Sequence, residues 1–241
     1  MKRIEFYSEI YGLADTVPIL KTSEVLPKWI SLVRNEYKQF PKDRSHLYRC
    51  PGIFDLFNYG YIVPAWHDLK IKSDGEHFGY EIPSQNLVDL RGSETLAQAH
   101  DKNTVGKYLP RPPWAHPCVL KINTPWHVIT PRGIKLLMTA LPYPDSFEIE
   151  ALTGILDPRV STEVNLQLNY NLPKGEYTIR AGTPLAMLIP ITEDDLELVV
   201  RDKNEYDNIW SLKRKFVNSM SYVLNRKRIK SLYEQHWNKN K

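Results

Sequence analysis

The segment from Arg49 to Asp68, RCPGIFDLFNYGYIVPAWHD, holds an arginine, two acids and five aromatic residues close together in the chain. A guanidinium binds anions through a planar fork of N–H donors, and aromatic faces suit a planar ligand. Gly52 and Gly60 would let the backbone approach a neighbouring group closely. The composition predicts either the wall of a ligand cavity or a pair of core strands with a polar rim. Its ligand-pocket candidates are Arg49, Asp55, Trp66 and His67.

A second candidate region is NTPWHVITPRG, residues 123–133, in which Trp126 is followed by His127. Adjacent side chains of a strand point to opposite faces, so these two are expected to face opposite ways. A tryptophan beside a histidine could line a site. The alternative is a buried tryptophan that anchors two sheets, which is the commoner use of such a residue.

The third candidate pair is Asp157 and Arg159 in TGILDPRV, residues 153–160. An aspartate followed by proline is typical of a turn, because the carboxylate accepts backbone N–H groups and Pro158 presets the bend. The same carboxylate beside an arginine could also do chemistry in the mouth of a β-barrel. Both interpretations stay open from the sequence.

Complete catalytic or metal-binding motifs are missing from the sequence. The seven histidines form no ligand spacing that is typical of a metal site, and His67 with Asp68 resembles the H-x-D of iron oxygenases only loosely. There is no G-x-S-x-G, no S-x-x-K and no glycine-rich phosphate loop. The sequence therefore predicts no catalytic residue, no metal and no cofactor, and it leaves open whether the protein is an enzyme.

Short strands dominate the expected fold. Eighteen prolines disfavour long helices, and apolar runs recur between Pro, Gly, Asn and Asp from IEFY near the start to PLAMLIPI near residue 190. This pattern predicts a mainly β protein, a sandwich or distorted barrel of about ten short strands. One helix is expected from Ser23 to Tyr37, with Ser23 as its N-cap and Trp29, Leu32 and Val33 on one face.

A basic tail follows the β-rich domain, which we place at residues 1–200. Residues 201–241 carry a net charge of +7, which leaves −3 for residues 1–200. Apolar residues of the tail recur at steps of three and four, which predicts an amphipathic helix. These docking-helix residues are Ile209, Leu212, Phe216, Met220, Val223 and Leu224.

The partners of this tail are expected to be proteins, or an acidic surface or nucleic acid that its cations would meet. A solvated helix face is the alternative. No apolar run approaches the roughly 20 residues that span a bilayer, and no secretion signal is visible, so no membrane contact is expected.

Part of the chain resembles the dUTPase and dCTP deaminase β-fold. The matching residues are Gly154 to Asp157, then Val164, Leu166 and Leu168, then Ala181, Gly182, Ala186, Met187 and Leu188. This resemblance implies a dUTPase-like or jelly-roll-like fold. The family's Arg-Ser-Ser segment and glycine-rich phosphate loop have no counterpart, so the resemblance argues against nucleotide hydrolysis.

A larger part resembles an uncharacterised family of bacteria and marine bacteriophages. The resemblance is carried by five segments in order: LPKWI (residues 26–30), residues 49–68, KINTPWHVITPRGIKLLM (121–138), TGILDPRV (153–160) and IRAGTPLAMLIPI (179–191). It implies a phage or bacterial origin and no reaction. Localisation in a virion or in the host cytoplasm is the corresponding expectation.

Two functions follow as hypotheses. The first is a non-enzymatic structural or assembly protein of a phage, a virion component that acts through protein–protein contacts of the docking helix. The second is a small-molecule or nucleotide-binding enzyme with a β-barrel pocket, dUTPase-like or metal-dependent and cupin-like. The second predicts that Arg49, Asp55, His67 and Asp157 converge in one cavity.

Overall fold

A computed structural model describes residues 1–41, 45–82, 96–103, 105–172 and 174–207. These residues form fourteen strands in three sheets, and within the described part none of the sheets closes on itself. The arrangement is sandwich-like, which confirms the predicted mainly β fold.

The sheets are built as follows. Sheet A contains β1 (Lys2–Ser8), β6 (Ala97–His100), β7 (Val119–Ile129), β9 (Ile149–Ala151), β11 (Glu163–Tyr170) and β14 (Leu196–Asp202) in the order β14-β1-β7-β11-β9, with β6 also paired to β7. Sheet B contains β2 (Leu20–Lys21), β3 (Tyr61–Pro64), β8 (Leu136–Thr139), β10 (Gly154–Leu156) and β13 (Pro184–Pro190) in the order β10-β8-β13-β3-β2. Sheet C contains β4 (Leu69–Ser73), β5 (Phe78–Glu81) and β12 (Gly175–Ile179) in the order β12-β4-β5.

Four helices accompany the sheets in the part of the chain that the structure describes. They are α1 (Leu13–Thr16), α2 (Lys28–Gln39), α3 (Pro51–Phe54) and α4 (Val105–Tyr108). The expected N-terminal helix exists as α2, but its predicted start was wrong. Ser23 lies in a separate 3-10 turn, and α2 begins only after Pro27, where the Asp145 carboxylate accepts the Lys28 N–H at 3.0 and 3.1 Å.

The predicted apolar face of α2 is only partly correct. Ile30 is buried, Trp29 is half-buried and Leu32 is 67% exposed. The helix therefore packs against the body through a narrower stripe than its sequence pattern predicts.

The core lies between sheets A and B, with sheet C packed against it. Strand alternation produces it: in β11, Val164, Leu166 and Leu168 are buried, whereas Asn165 and Gln167 between them are not. The two sheets meet directly where the Phe6 ring of β1 lies edge-on to the Tyr61 ring of β3, with centroids 5.6 Å apart. Each fully buried side chain of this size contributes about 1.5–3 kcal/mol.

Strand β14 is an addition to the predicted strands. It runs parallel to β1, in register from Lys2 opposite Leu196 to Ser8 opposite Asp202. It ends two residues beyond the predicted boundary at residue 200. The residues that we assigned to a docking helix lie outside the described residues. Within the described part, no helix is long and apolar enough to cross a membrane.

Candidate functional site

Asp157 is held by its own turn. It is 6% exposed, and its Oδ1 accepts the backbone N–H of Arg159 at 3.1 Å. The Arg159 side chain donates from Nε to Oδ1 and from Nη2 to Oδ2, both at 3.0 Å. The carbonyl of Asp157 also accepts the N–H groups of Val160 and Ser161. The structure therefore gives Asp157 the predicted turn geometry and pairs its carboxylate with the neighbouring arginine.

The candidates of the first segment lie in different surroundings. Arg49 is exposed, donates to the Pro41 carbonyl at 2.8 Å and lies over the Tyr37 ring at 5.7 Å from its centroid. Asp55 is exposed at the start of a 3-10 turn. The two residues thus belong to the surface of the helical region around α2 and α3.

Trp66 and His67 are buried in the connection from β3 to β4. Their rings meet edge-on at 4.3 Å between centroids, and the His67 Nδ1 lies 2.6 Å from the Asp68 carbonyl oxygen. The Asp68 carboxylate accepts the Ala181 N–H at 2.8 Å and an Arg180 N–H at 2.7 Å. These two hydrogen bonds hold the pKa of Asp68 below its usual value.

Trp126 and His127 face opposite sides of β7, as predicted. Trp126 is completely buried in the core between the sheets. His127 is also buried, on the opposite face of sheet A, here called its outer face, where its Nδ1 is 2.9 Å from the Thr162 hydroxyl and its Nε2 is 3.2 Å from the Glu9 carboxylate. A proton on Nε2 would let the ring donate to the Glu9 carboxylate, and the Thr162 hydroxyl can donate to Nδ1 or accept from it.

A polar row on the outer face of sheet A is the main feature that sequence reasoning missed. Strand register places Arg201, Tyr7 and His127 side by side on β14, β1 and β7. The Tyr7 ring stacks on the His127 ring at 4.8 Å and 5°, and the Arg201 guanidinium lies 5.1 Å from the Tyr7 centroid. Arg201 also pairs with Glu5 and Asp207. The row therefore links β14 through β1 to β7, the central strand of sheet A.

Burial raises the pKa of the Tyr7 hydroxyl far above its usual value, and the Asp207 carboxylate adds to the shift. The folded protein then keeps the Tyr7 proton above pH 10, whereas the unfolded chain loses it near pH 10. Stability contributed by Tyr7 is therefore complete below pH 10 and falls as the pH rises further.

Above pH 10, the free energy of unfolding should fall with pH less steeply in Tyr7→Phe than in the wild type. The difference in slope should be about 1.4 kcal/mol per pH unit. Urea unfolding of both proteins from pH 8 to pH 11 measures the difference. Below pH 9 the two pH dependences should be parallel. Burial also raises the pKa of Tyr61, to about 12, but Tyr61 is present in both proteins and does not contribute to the difference. Equal slopes above pH 10 would contradict the assignment.

An apolar cavity lies where α2 begins, under the loop of residues 141–146. Its volume is about 220 Å³, and its lining is mainly apolar. Small-molecule pockets usually have about 300–1,000 Å³, so this cavity suits one side chain or a small apolar group. Lining residues include Leu26, Pro27, Phe57, Ile62, Leu141 and Leu185.

A second, more open cavity of about 440 Å³ lies beside the end of β14. It is lined by polar residues of the β1 end and by the chain that follows β14. Neither of the two cavities is lined by any of the eight ligand-pocket candidates. The convergence of Arg49, Asp55, His67 and Asp157 stays a prediction without a described contact among them.

Comparisons with known proteins do not assign the chain to a family. No family model matches the chain, and no curated protein matches it either. Within the residues that the structure describes, no group of three His, Cys, Asp or Glu side chains is placed to hold a metal ion. The fold defines the class as a mainly β, sandwich-like protein.

Proposed function

We propose that the protein is a non-enzymatic structural or assembly protein of a phage, which acts through protein–protein contacts of its basic C-terminal region. Residues 208–241, here called the distal tail, are the contacting segment. They carry nine Lys and Arg and one Glu, hence a net charge of +8. The resemblance to a phage and bacterial family and the apolar periodicity from Ile209 to Leu224 support this assignment.

The observation that carries the proposal is the fixed root of the distal tail. Asp207, the last residue before it, is 4% exposed. Its carboxylate accepts two hydrogen bonds from Arg201, at 2.6 and 3.0 Å, and one from the Asn204 N–H at 2.8 Å. Arg201 is itself paired with Glu5 of β1. A buried, charge-assisted pair therefore ties the root to sheet A.

A fixed root affects how well the distal tail can bind a partner. A segment that leaves the body from a fixed point searches a smaller volume than one on a flexible linker, so its effective concentration at a partner surface is higher. A fully solvated tail would gain nothing from a buried ion pair at the residue that precedes it. The root therefore favours the contact function over a merely solvated helix.

Deletion of residues 208–241 should separate the protein from its assembly while the body stays folded. Quantitative mass spectrometry of gradient-purified particles from cells that produce the protein should recover the full chain with the particles. The chain that ends at Asp207 should be at least tenfold depleted, because the contacting segment is gone. Circular dichroism and thermal unfolding check that the shortened chain is folded.

Two other outcomes would contradict the proposal. If the shortened chain is recovered with particles as well as the full chain, the distal tail is not the contacting segment. If the full chain is absent from particles, the assembly function itself is wrong. Asp207→Asn in the full chain is a milder variant, since it weakens the root without removing the segment.

A further inference from the structure

An apolar row crosses the outer face of sheet B. Register places Ile155 of β10 opposite Leu137 of β8, and Leu137 opposite Ile189 of β13. Ile191 continues the same face one step further, since its N–H donates to the Lys135 carbonyl at 2.9 Å. We call Leu137, Ile155, Ile189 and Ile191 the sheet-B row.

The row is open to solvent although its neighbours in sequence are core residues. Ile155 is 55% exposed and Ile191 is 54% exposed, while Leu137 and Ile189 are half-buried. The alternate positions Leu136 and Leu188 are completely buried. Four adjacent apolar side chains on one face of a sheet mark a contact surface rather than scattered surface residues.

The charges around the row favour a basic partner. The turn that follows Ile191 contains Glu193, Asp194 and Asp195, all exposed. Asp194 pairs with Lys2, and Lys135, whose carbonyl accepts the Ile191 N–H, lies two residues before Leu137. Residues 1–207 as a whole have a net charge of −4, opposite to the +8 of the distal tail. An amphipathic segment with an apolar stripe and basic flanks complements this surface.

The distal tail has the composition that the row would recognise. Its apolar stripe from Ile209 to Leu224 is bordered by Lys213, Arg214 and Lys215. The stripe covers sixteen positions, about 24 Å if it is helical, which is longer than the width of three paired strands. One segment could therefore cover the whole row.

The positions of the tail root and of the row indicate which molecule supplies the docked segment. The distal tail follows Asp207, which contacts Arg201 on the face of sheet A that points away from sheet B. The sheet-B row lies on the outer face of the other sheet, with the shared core between them. The root of the tail and the row thus lie on opposite faces of the sandwich, which favours the row of a neighbouring molecule as the docking surface.

We propose that the apolar stripe of the distal tail docks on the sheet-B row of a second copy of this chain. The contact is head-to-tail, because it joins two different surfaces: the stripe of one molecule and the row of another. Head-to-tail contacts generate closed rings or open filaments, which is the geometry of repeated assemblies. The inference rests on the proposed function, since it takes the distal tail as the contacting segment and names what it contacts.

Two full-length variants each disrupt one of the two surfaces of this contact. Ile155→Arg puts a charge into the row at an exposed position, so the fold tolerates it. Phe216→Asp puts a charge into the stripe and leaves the row intact. Leu32→Arg is the matched control, because Leu32 is also an exposed apolar residue but lies on α2, away from the row. Sedimentation velocity across a concentration series measures self-association of each protein.

The wild type and Leu32→Arg should self-associate alike, and each of the other variants should associate at least tenfold more weakly. A mixture of Ile155→Arg and Phe216→Asp should form a complex of two molecules and nothing larger, because one intact row and one intact stripe remain. Self-association of Ile155→Arg at the wild-type level would overturn the inference. So would a mixture that stays monomeric.

The same variants distinguish this inference from the proposed function. If Phe216→Asp is lost from purified particles while Ile155→Arg is retained, the tail is the contacting segment but its partner is not the row. If both are retained, the proposed function fails as well. A compact wild-type monomer at all concentrations, with loss of compactness in both variants, would mean that the tail binds its own body.

Discussion

Replacing Arg159 by alanine should lower the free energy of unfolding by about 3 kcal/mol, since it leaves the buried Asp157 carboxylate without its main partner. The Arg159 side chain is 19% exposed and that of Asp157 is 5% exposed. The two form a bidentate pair within one turn. Urea unfolding at pH 7, analysed by linear extrapolation, measures the loss.

Arg180→Ala is the matched control for this prediction. Arg180 also donates to an aspartate, Asp68, at 2.7 Å, but its side chain is 73% exposed. Solvent screens such a pair, so its removal should cost about 1 kcal/mol or less. Equal losses for the two variants would mean that burial does not set the strength of the Asp157 pair. A small loss for Arg159→Ala would mean that the buried Asp157 carboxylate does not need the arginine as its partner.

The fold class could be predicted because it depends on patterns that are local in the chain. The alternation of EVNLQLNY predicts a half-buried strand, and β11 has that burial. Prolines disfavour long helices, and in the described residues the longest helix, α2, starts directly after one of them. Boundaries were less accurate, because Ser23 has the type of an N-cap but Asp145, more than a hundred residues away, supplies the cap.

The site was harder to predict because its contacts join distant parts of the chain. Nothing near Tyr7 in the sequence indicates that Arg201 and His127 lie beside it. The LELVVRD segment of β14 alternates apolar and charged residues only in part, and its acids resemble the start of a polar tail. Its parallel pairing with β1 becomes visible only when the first and last strands of the body meet.

The glycines of the first segment give the sharpest contrast between prediction and structure. Gly52 and Gly60 were both expected to allow a close approach of the backbone. An added Cβ at Gly52 would meet nothing within 4 Å, whereas one at Gly60 would lie 2.5 Å from the Leu188 carbonyl oxygen. The neighbour of Gly60 is therefore strand β13 of the same sheet, and a ligand is not needed to explain this glycine.

Gly60→Ala should destabilise the protein by about 3 kcal/mol, from two separate causes. Its φ of +74° costs a side chain about 1–2 kcal/mol, and the contact with the Leu188 carbonyl adds about 1–3 kcal/mol of strain. Gly12, with φ +79° and open space around it, separates the two causes. Gly12→Ala should therefore lose only the conformational part.

Gly52→Ala completes the series, since Gly52 lies in α3 with open space for a methyl group. Alanine is the better helix former, so this variant should match the wild type or exceed it by up to about 1 kcal/mol. Unfolding free energies in the order Gly52→Ala, Gly12→Ala, Gly60→Ala, from most to least stable, would establish the close packing of β3 on β13. If Gly60→Ala is no worse than Gly12→Ala, the carbonyl of Leu188 moves aside, and the strands are less tightly fixed than their register indicates.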